Sequence, residues 1–148
     1  VKVPSLDGGG KMSKSENQLA TLYLSDDDDM IRKKVMKAKT DSGPTEPGTP
    51  MPDYIENIFL LMNLVSAPDV IGDFRKAYDE CRIRYGDMKK QLAEDMVTFI
   101  RPIREKAEAI RNDAPYLRQV MEQGAEKAGA NARATMAAVR QAMGLNYY

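Results

Sequence analysis

Apolar positions recur at helical spacing along most of this chain, and proline or glycine clusters separate the runs. Ile31 and Val35 mark the apolar side of a first helix expected over residues 30–39. Ser25-Asp26-Asp27-Asp28-Asp29 precedes it, and Arg32, Lys33, Lys34, Lys37 and Lys39 lie along it. Acids first and bases last is the order a helix dipole favours, so the aspartate run reads as capping and not as a metal site. Pro44, Pro47, Pro50 and Pro52 then remove backbone donors and predict a loop over residues 40–53. Asp53 is placed to cap a second helix with Ile55, Ile58, Phe59, Met62 and Val65 on its apolar side. Pro68-Asp69 starts a third, carrying Val70, Ile71, Phe74, Ala77, Tyr78 and Cys81 on one face.

A long fourth helix is expected from Asp87. Met88, Leu92, Met96, Phe99, Ile103, Ala107 and Ile110 are three or four residues apart throughout, and Pro102 is expected to kink the run. Asn112-Asp113-Ala114-Pro115 breaks and recaps the chain. The last helix should run to Met143, with Gly144 as its stop and Leu117, Met121, Gly124, Ala128, Ala132, Thr135 and Val139 as its core stripe. No strand-like alternation follows residue 25. The pattern predicts an all-α helical bundle (residues 26–148) behind a short non-helical segment (residues 1–25).

Composition narrows the chemistry. The formal charge is zero, but residues 51–81 hold two basic against six acidic side chains, and residues 82–140 hold twelve against eight. The C-terminal half can therefore meet phosphates, or simply present solvated faces. Cys81 is the single cysteine, which excludes a disulfide framework and reads as a structural thiol on a helical face. No stretch is long enough to span a membrane and no signal-peptide pattern opens the chain, which suits a reducing cytoplasm. Histidine is absent.

One short segment carries chemistry. Lys11-Met12-Ser13-Lys14-Ser15 follows Gly8-Gly9-Gly10. Two lysines three residues apart on a glycine-hinged loop can embrace a triphosphate, and serine hydroxyls add donors to its oxygens. No Walker loop or GxGxxG fingerprint is present. On residue types alone, an exposed lysine–serine loop explains the same letters.

The string KMSKS is, however, the second signature of class I aminoacyl-tRNA synthetases. Residues 31–42, IRKKVMKAKTDS, resemble the segment that follows it in bacterial-type tryptophanyl-tRNA synthetases. Arg111-Asn112-Asp113-Ala114, Tyr116-Leu117, Val120-Met121 and Gly124-Ala125-Glu126-Lys127-Ala128 resemble that family's C-terminal helices. The match runs from about Lys11 to Gly144. Tyrosyl-tRNA synthetase is the nearest rival, but its KFGKS-like loop is not seen.

The resemblance implies that Lys11, Met12, Ser13, Lys14 and Ser15 form the ATP-binding loop, with Lys14 and Lys11 stabilising the departing pyrophosphate. It implies that the tail of a catalytic domain ends near residue 25 and that the helices bind the anticodon of tRNA(Trp). Arg104, Arg111, Arg118 and Lys127 are then candidates for RNA backbone contacts, and Tyr116 for stacking on an unpaired base. The intact enzyme would use tryptophan and ATP with Mg2+ as a homodimer, without DNA or membrane partners. Its HIGH-type motif needs histidine, so this chain alone is expected to be an inactive, monomeric fragment that binds no cofactor. The alternative is a non-catalytic helical RNA-binding or interaction module.

Overall fold

The computed structural model describes residues 3–13, 15 and 17–145. Five α-helices form the regular structure among them: α1 (Asp28–Met36), α2 (Asp53–Val65), α3 (Pro68–Asp79), α4 (Tyr85–Asn112) and α5 (Ala114–Met143). The extended pairing among the described residues is an isolated antiparallel bridge between Pro4 and Lys11. The fold is all-α. Contacts divide the chain into two compact units, Val1–Arg104 and Glu105–Tyr148, and the boundary falls inside α4. Leu6 and Ala20 are buried in one cluster with Ile31 and Val35.

In the first unit, α1 begins at the aspartates. The Asp27 carboxylate accepts the Met30 N–H at 2.7 Å, and Asp28 and Asp29 occupy the first turn. α1 runs antiparallel to α4 over residues 89–104: Asp28 meets Arg101 and Arg104, Arg32 meets Glu94, and the Ala38 carbonyl meets Lys89. Ile55, Ile58, Phe59, Leu61 and Met62 bury one face of α2, while Leu60 and Leu64 stay exposed. Burying side chains of this size is worth about 1.5–3 kcal/mol each, before conformational entropy is counted.

The register of α4 departs from the expected stripe after Met96. Val97 and Ile100 enter the core, while Phe99 and Ile103 stay exposed at 51% and 40%. From Met96 a helix can continue its apolar row at either +3 or +4, and the sequence has apolar residues at both. Ala93 and Val97 share the flank that meets the core, which settles it on Ile100. The helix is continuous through Pro102.

Cys81 lies beyond α3 and not on its face. It is half-buried at φ +54°, with its N–H donating to the Tyr78 carbonyl and the Arg82 N–H donating to Ala77. These two bonds form a Schellman cap, with cysteine at the position glycine usually takes.

In the second unit, the Asp113 carboxylate accepts the Tyr116 N–H at 3.0 Å and starts α5. Gly144, at φ +68°, ends it with the same pair of capping bonds. The expected core stripe of α5 is not buried; no residue of the helix is, and Met121 is 73% exposed. Gly124, Ala128 and Ala132 offer little apolar area, so that face has a weak drive toward burial.

Candidate nucleotide loop

The lysine–serine segment begins on the return arm of a short hairpin, at Lys11 and Met12. The Met12 N–H donates to the Val3 carbonyl at 2.9 Å, and the Ser5 N–H donates to the Gly10 carbonyl at 3.3 Å. Between them, Asp7 organises the turn: the Ser5 hydroxyl donates to its carboxylate at 2.8 Å and the Gly9 N–H at 3.0 Å. The Ser5 hydroxyl first, then the Gly9 N–H, hold the Asp7 carboxyl below its usual pKa. Asp7 was not singled out from the sequence, although Asp-Gly is an ordinary turn signal.

Leu6 anchors the base. Its N–H donates to the Ala20 carbonyl, and its own carbonyl accepts the Lys39 N–H. Along the return arm, Lys11 is exposed and Met12 packs partly against the core. The Ser13 and Ser15 hydroxyls are 3.0 Å apart. Lys14 lies outside the described residues. The Thr21 hydroxyl donates to the Ser13 carbonyl, and the Thr21 carbonyl accepts from Lys34 Nζ at 2.9 Å. Lys34 is buried, paired with Asp26 at 2.7 Å and seated over the Tyr23 ring. One letter of the IRKKVMKAKTDS segment therefore ties α1 to the arm.

The Thr40-Asp41-Ser42 end of that segment is also tethered. Lys89 donates to the Ala38 carbonyl and the Thr40 hydroxyl, both at 3.0 Å, and burial holds its ammonium pKa down. Asp41 accepts the Gly43 N–H at 2.7 Å and the Tyr54 hydroxyl at 2.8 Å. Burial pushes the Asp41 carboxyl up, but these donors outweigh it and the net displacement is downward. The Tyr85 hydroxyl lies near the same carboxylate without meeting hydrogen-bond geometry, and burial raises its pKa.

The candidate RNA contacts divide. Arg104 is half-buried and engaged inside the first unit, donating to the Asp26 carbonyl and to Asp28 at 2.6 Å. Arg111, Tyr116, Arg118 and Lys127 are exposed in the second unit. Arg118 borders a shallow apolar hollow with Leu117, Met121 and Ala125. The separation of 76 residues between Arg104 and Asp28 explains why the helix pattern did not show that engagement.

The chain is 48% identical over 144 residues to a tryptophan–tRNA ligase of Porphyromonas gingivalis, covering 97% of this chain and 43% of that protein. The tryptophanyl-tRNA synthetase structure from Campylobacter jejuni superposes with TM-score 0.76 at 25% identity, over 98% of this chain and 45% of that one. The one from Mycoplasma pneumoniae gives 0.68 at 26%, over 99% and 46%. The chain thus spans less than half the length of these relatives. Residues 2–101 match the family described as tRNA synthetases class I (W and Y), and the chain belongs to that family.

Proposed function

We propose that this chain supplies the nucleotide loop and the anticodon-binding helices of a tryptophan–tRNA ligase, which activates tryptophan with ATP and transfers it to tRNA(Trp). The carrying observation is that the KMSKS string begins, at Lys11 and Met12, on the return arm of an anchored hairpin, in a chain 48% identical to a tryptophan–tRNA ligase. In this reading the tryptophan carboxylate attacks the α-phosphate and pyrophosphate leaves. Lys11 and Lys14 meet the charge that grows on the leaving group, where a cation is worth more in the transition state than in the ground state. Met12, Ser13 and Ser15 complete the ATP-binding loop. Mg2+ arrives with the nucleotide, and no residue of this chain is assigned to it. Residues 1–25 act as the end of the catalytic domain and residues 26–148 as the anticodon-binding domain.

Arg111, Arg118 and Lys127 are exposed cations suited to RNA phosphates, and Tyr116 is an exposed ring suited to a splayed base. Arg104 belongs to the same set, with part of its charge already shared with Asp28 of α1. The working enzyme is a cytoplasmic homodimer, and no described helix is long and apolar enough to cross a membrane.

Tryptophan-dependent ATP–pyrophosphate exchange tests the loop. The 148-residue chain alone should show none, and in the complete ligase Lys14→Ala should slow exchange by about a hundredfold or more. Full exchange by the lone chain, or an unaffected Lys14→Ala enzyme, would overturn the reading.

A further inference from the structure

The hairpin that leads into the lysine–serine loop is held at its tip and along its outgoing arm. At the tip, a Cβ on Gly8 would lie 2.7 Å from the Tyr54 Cβ, so the turn closes directly on the first turn of α2. On the outgoing arm, the Ala20 carbonyl accepts the Leu6 N–H at 3.0 Å and the Ser5 hydroxyl at 3.3 Å. The next residue, Thr21, reaches past the return arm, where its hydroxyl donates to the Ser13 carbonyl at 3.3 Å. Among the described residues this bond ties Ser13 to the rest of the chain, whereas the contact between the Ser13 and Ser15 hydroxyls stays within the loop. Thr21 is itself fixed: it is buried, and its own carbonyl accepts from Lys34 Nζ at 2.9 Å. Lys34 is in turn paired with Asp26 at 2.7 Å.

We infer that Thr21 is a positioning residue for the lysine–serine loop: its hydroxyl fixes Ser13, and with it the point from which the chain enters Lys14 and Ser15. The support reaches from α1 through Lys34 to the Thr21 backbone, and the hydroxyl passes it on to the loop. Valine has the shape of threonine without the donor, and serine keeps the donor without the methyl group. The two substitutions therefore separate a role for the hydroxyl from one for bulk. Ser13 is half-buried, so in Thr21→Val water can take the place of the hydroxyl, and the fixed point is lost without stranding a carbonyl. The catalytic part of this inference rests on the proposed function; the hold on Ser13 does not.

Two measurements test it. On this chain, trypsin should cut after Lys11 and Lys14 about fivefold faster in Thr21→Val than in the parent, and at within about twofold of the parent rate in Thr21→Ser. Rates are taken relative to cleavage after Lys90, inside α4, which reports unfolding of the whole first unit. In the complete ligase, Thr21→Val should lower kcat for tryptophan-dependent ATP–pyrophosphate exchange about tenfold and leave the KM for tryptophan within about twofold, with Thr21→Ser restoring the parent value. In a Lys14→Ala enzyme, Thr21→Val should add less than about twofold, because Thr21 acts through the loop. A residue that only fills space gives the opposite order, with Thr21→Ser the impaired variant, and that order would overturn the inference. Unchanged relative cleavage or unchanged exchange in Thr21→Val would overturn it too, as would losses from Thr21→Val and Lys14→Ala that simply multiply. A Lys14→Ala enzyme with full exchange would sink the proposed function, and the cleavage arm would still decide the hold on Ser13.

Discussion

Single residues in this chain carry jobs that their letters do not announce. Lys34 looks like one more base in a basic helix, yet it is buried on Asp26, Thr21 and the Tyr23 ring. A buried ammonium is tolerated when its donors are satisfied, and here a carboxylate and a carbonyl satisfy them. Cys81 is the opposite case, a residue whose position is poor. It caps α3 at φ +54°, where an L side chain crowds its own carbonyl, whereas α5 ends on Gly144 at φ +68°. Cys81→Gly should relieve that crowding and stabilise the chain by about 0.5–1 kcal/mol after the entropy cost of glycine in the unfolded chain. The control is Cys81→Ala, which keeps the Cβ and should give no gain. Thermal melts of the three proteins check this, and a glycine variant no more stable than the alanine one refutes the strain.

At the scale of elements, two sets of ion pairs join α1 to α4. Asp28 accepts from Arg101 and Arg104, and Arg32 donates to Glu94 through two bonds. The pairing is reciprocal, with α1 giving an acid and a base, and α4 giving their complements. That arrangement fixes direction as well as proximity, since reversing α1 would set like charges together. Arg101 first, then Arg104, hold the Asp28 carboxyl below its usual pKa, and Arg32 does the same for Glu94. Both native values are lowered, so the unfolded chain takes up protons first as pH falls. The stability from these carboxylates is therefore complete above about pH 5 and is lost as pH falls through about 4 toward the native values. Asp28→Asn removes one titrating group, so its melting temperature should fall less steeply between pH 5 and 3 than the parent's. Parallel slopes would mean that Asp28 is not linked to folding. The helices themselves were legible in the sequence, because proline, glycine and the apolar period mark them locally. The aspartate run was also legible as a helix start. What could not be read were partnerships across the chain: Asp28 with Arg101, Gly8 with Tyr54, Lys89 with Thr40. Each joins residues more than forty apart, and no local period encodes such a distance. The turn at Met96 shows the same limit, since both Phe99 and Ile100 are apolar and only tertiary contact chooses between them.

For the whole molecule, the division into units is a division of stability. The first unit holds every buried hydrophobic residue among those described, from Leu6 to Ile100. The second holds none, although α5 has thirty residues. Its ends are well made, with Asp113 at the start and Gly144 at the stop, and Arg140 in the last turn suits the dipole. Caps and alanine-rich propensity alone leave a helix marginal in water, because most helical stability in proteins comes from an apolar face that is covered. Hydrogen exchange on the chain should therefore separate the units. Amides of α5 should exchange at least about tenfold faster than those of α2 and of residues 88–100 in α4, the stretch from Met88 to Ile100 that carries core side chains. Fast exchange in α5 would fit an arm ordered on binding, the behaviour expected if RNA covers its exposed cations and Tyr116. Protection in α5 equal to that in α2 would contradict the exposed helix described here. Repeating the measurement with tRNA(Trp) ties this to the proposed function: protection should rise in α5 around Tyr116, Arg118 and Lys127 and stay constant in α2. Protection that rises in α2 instead would move the RNA surface to the first unit.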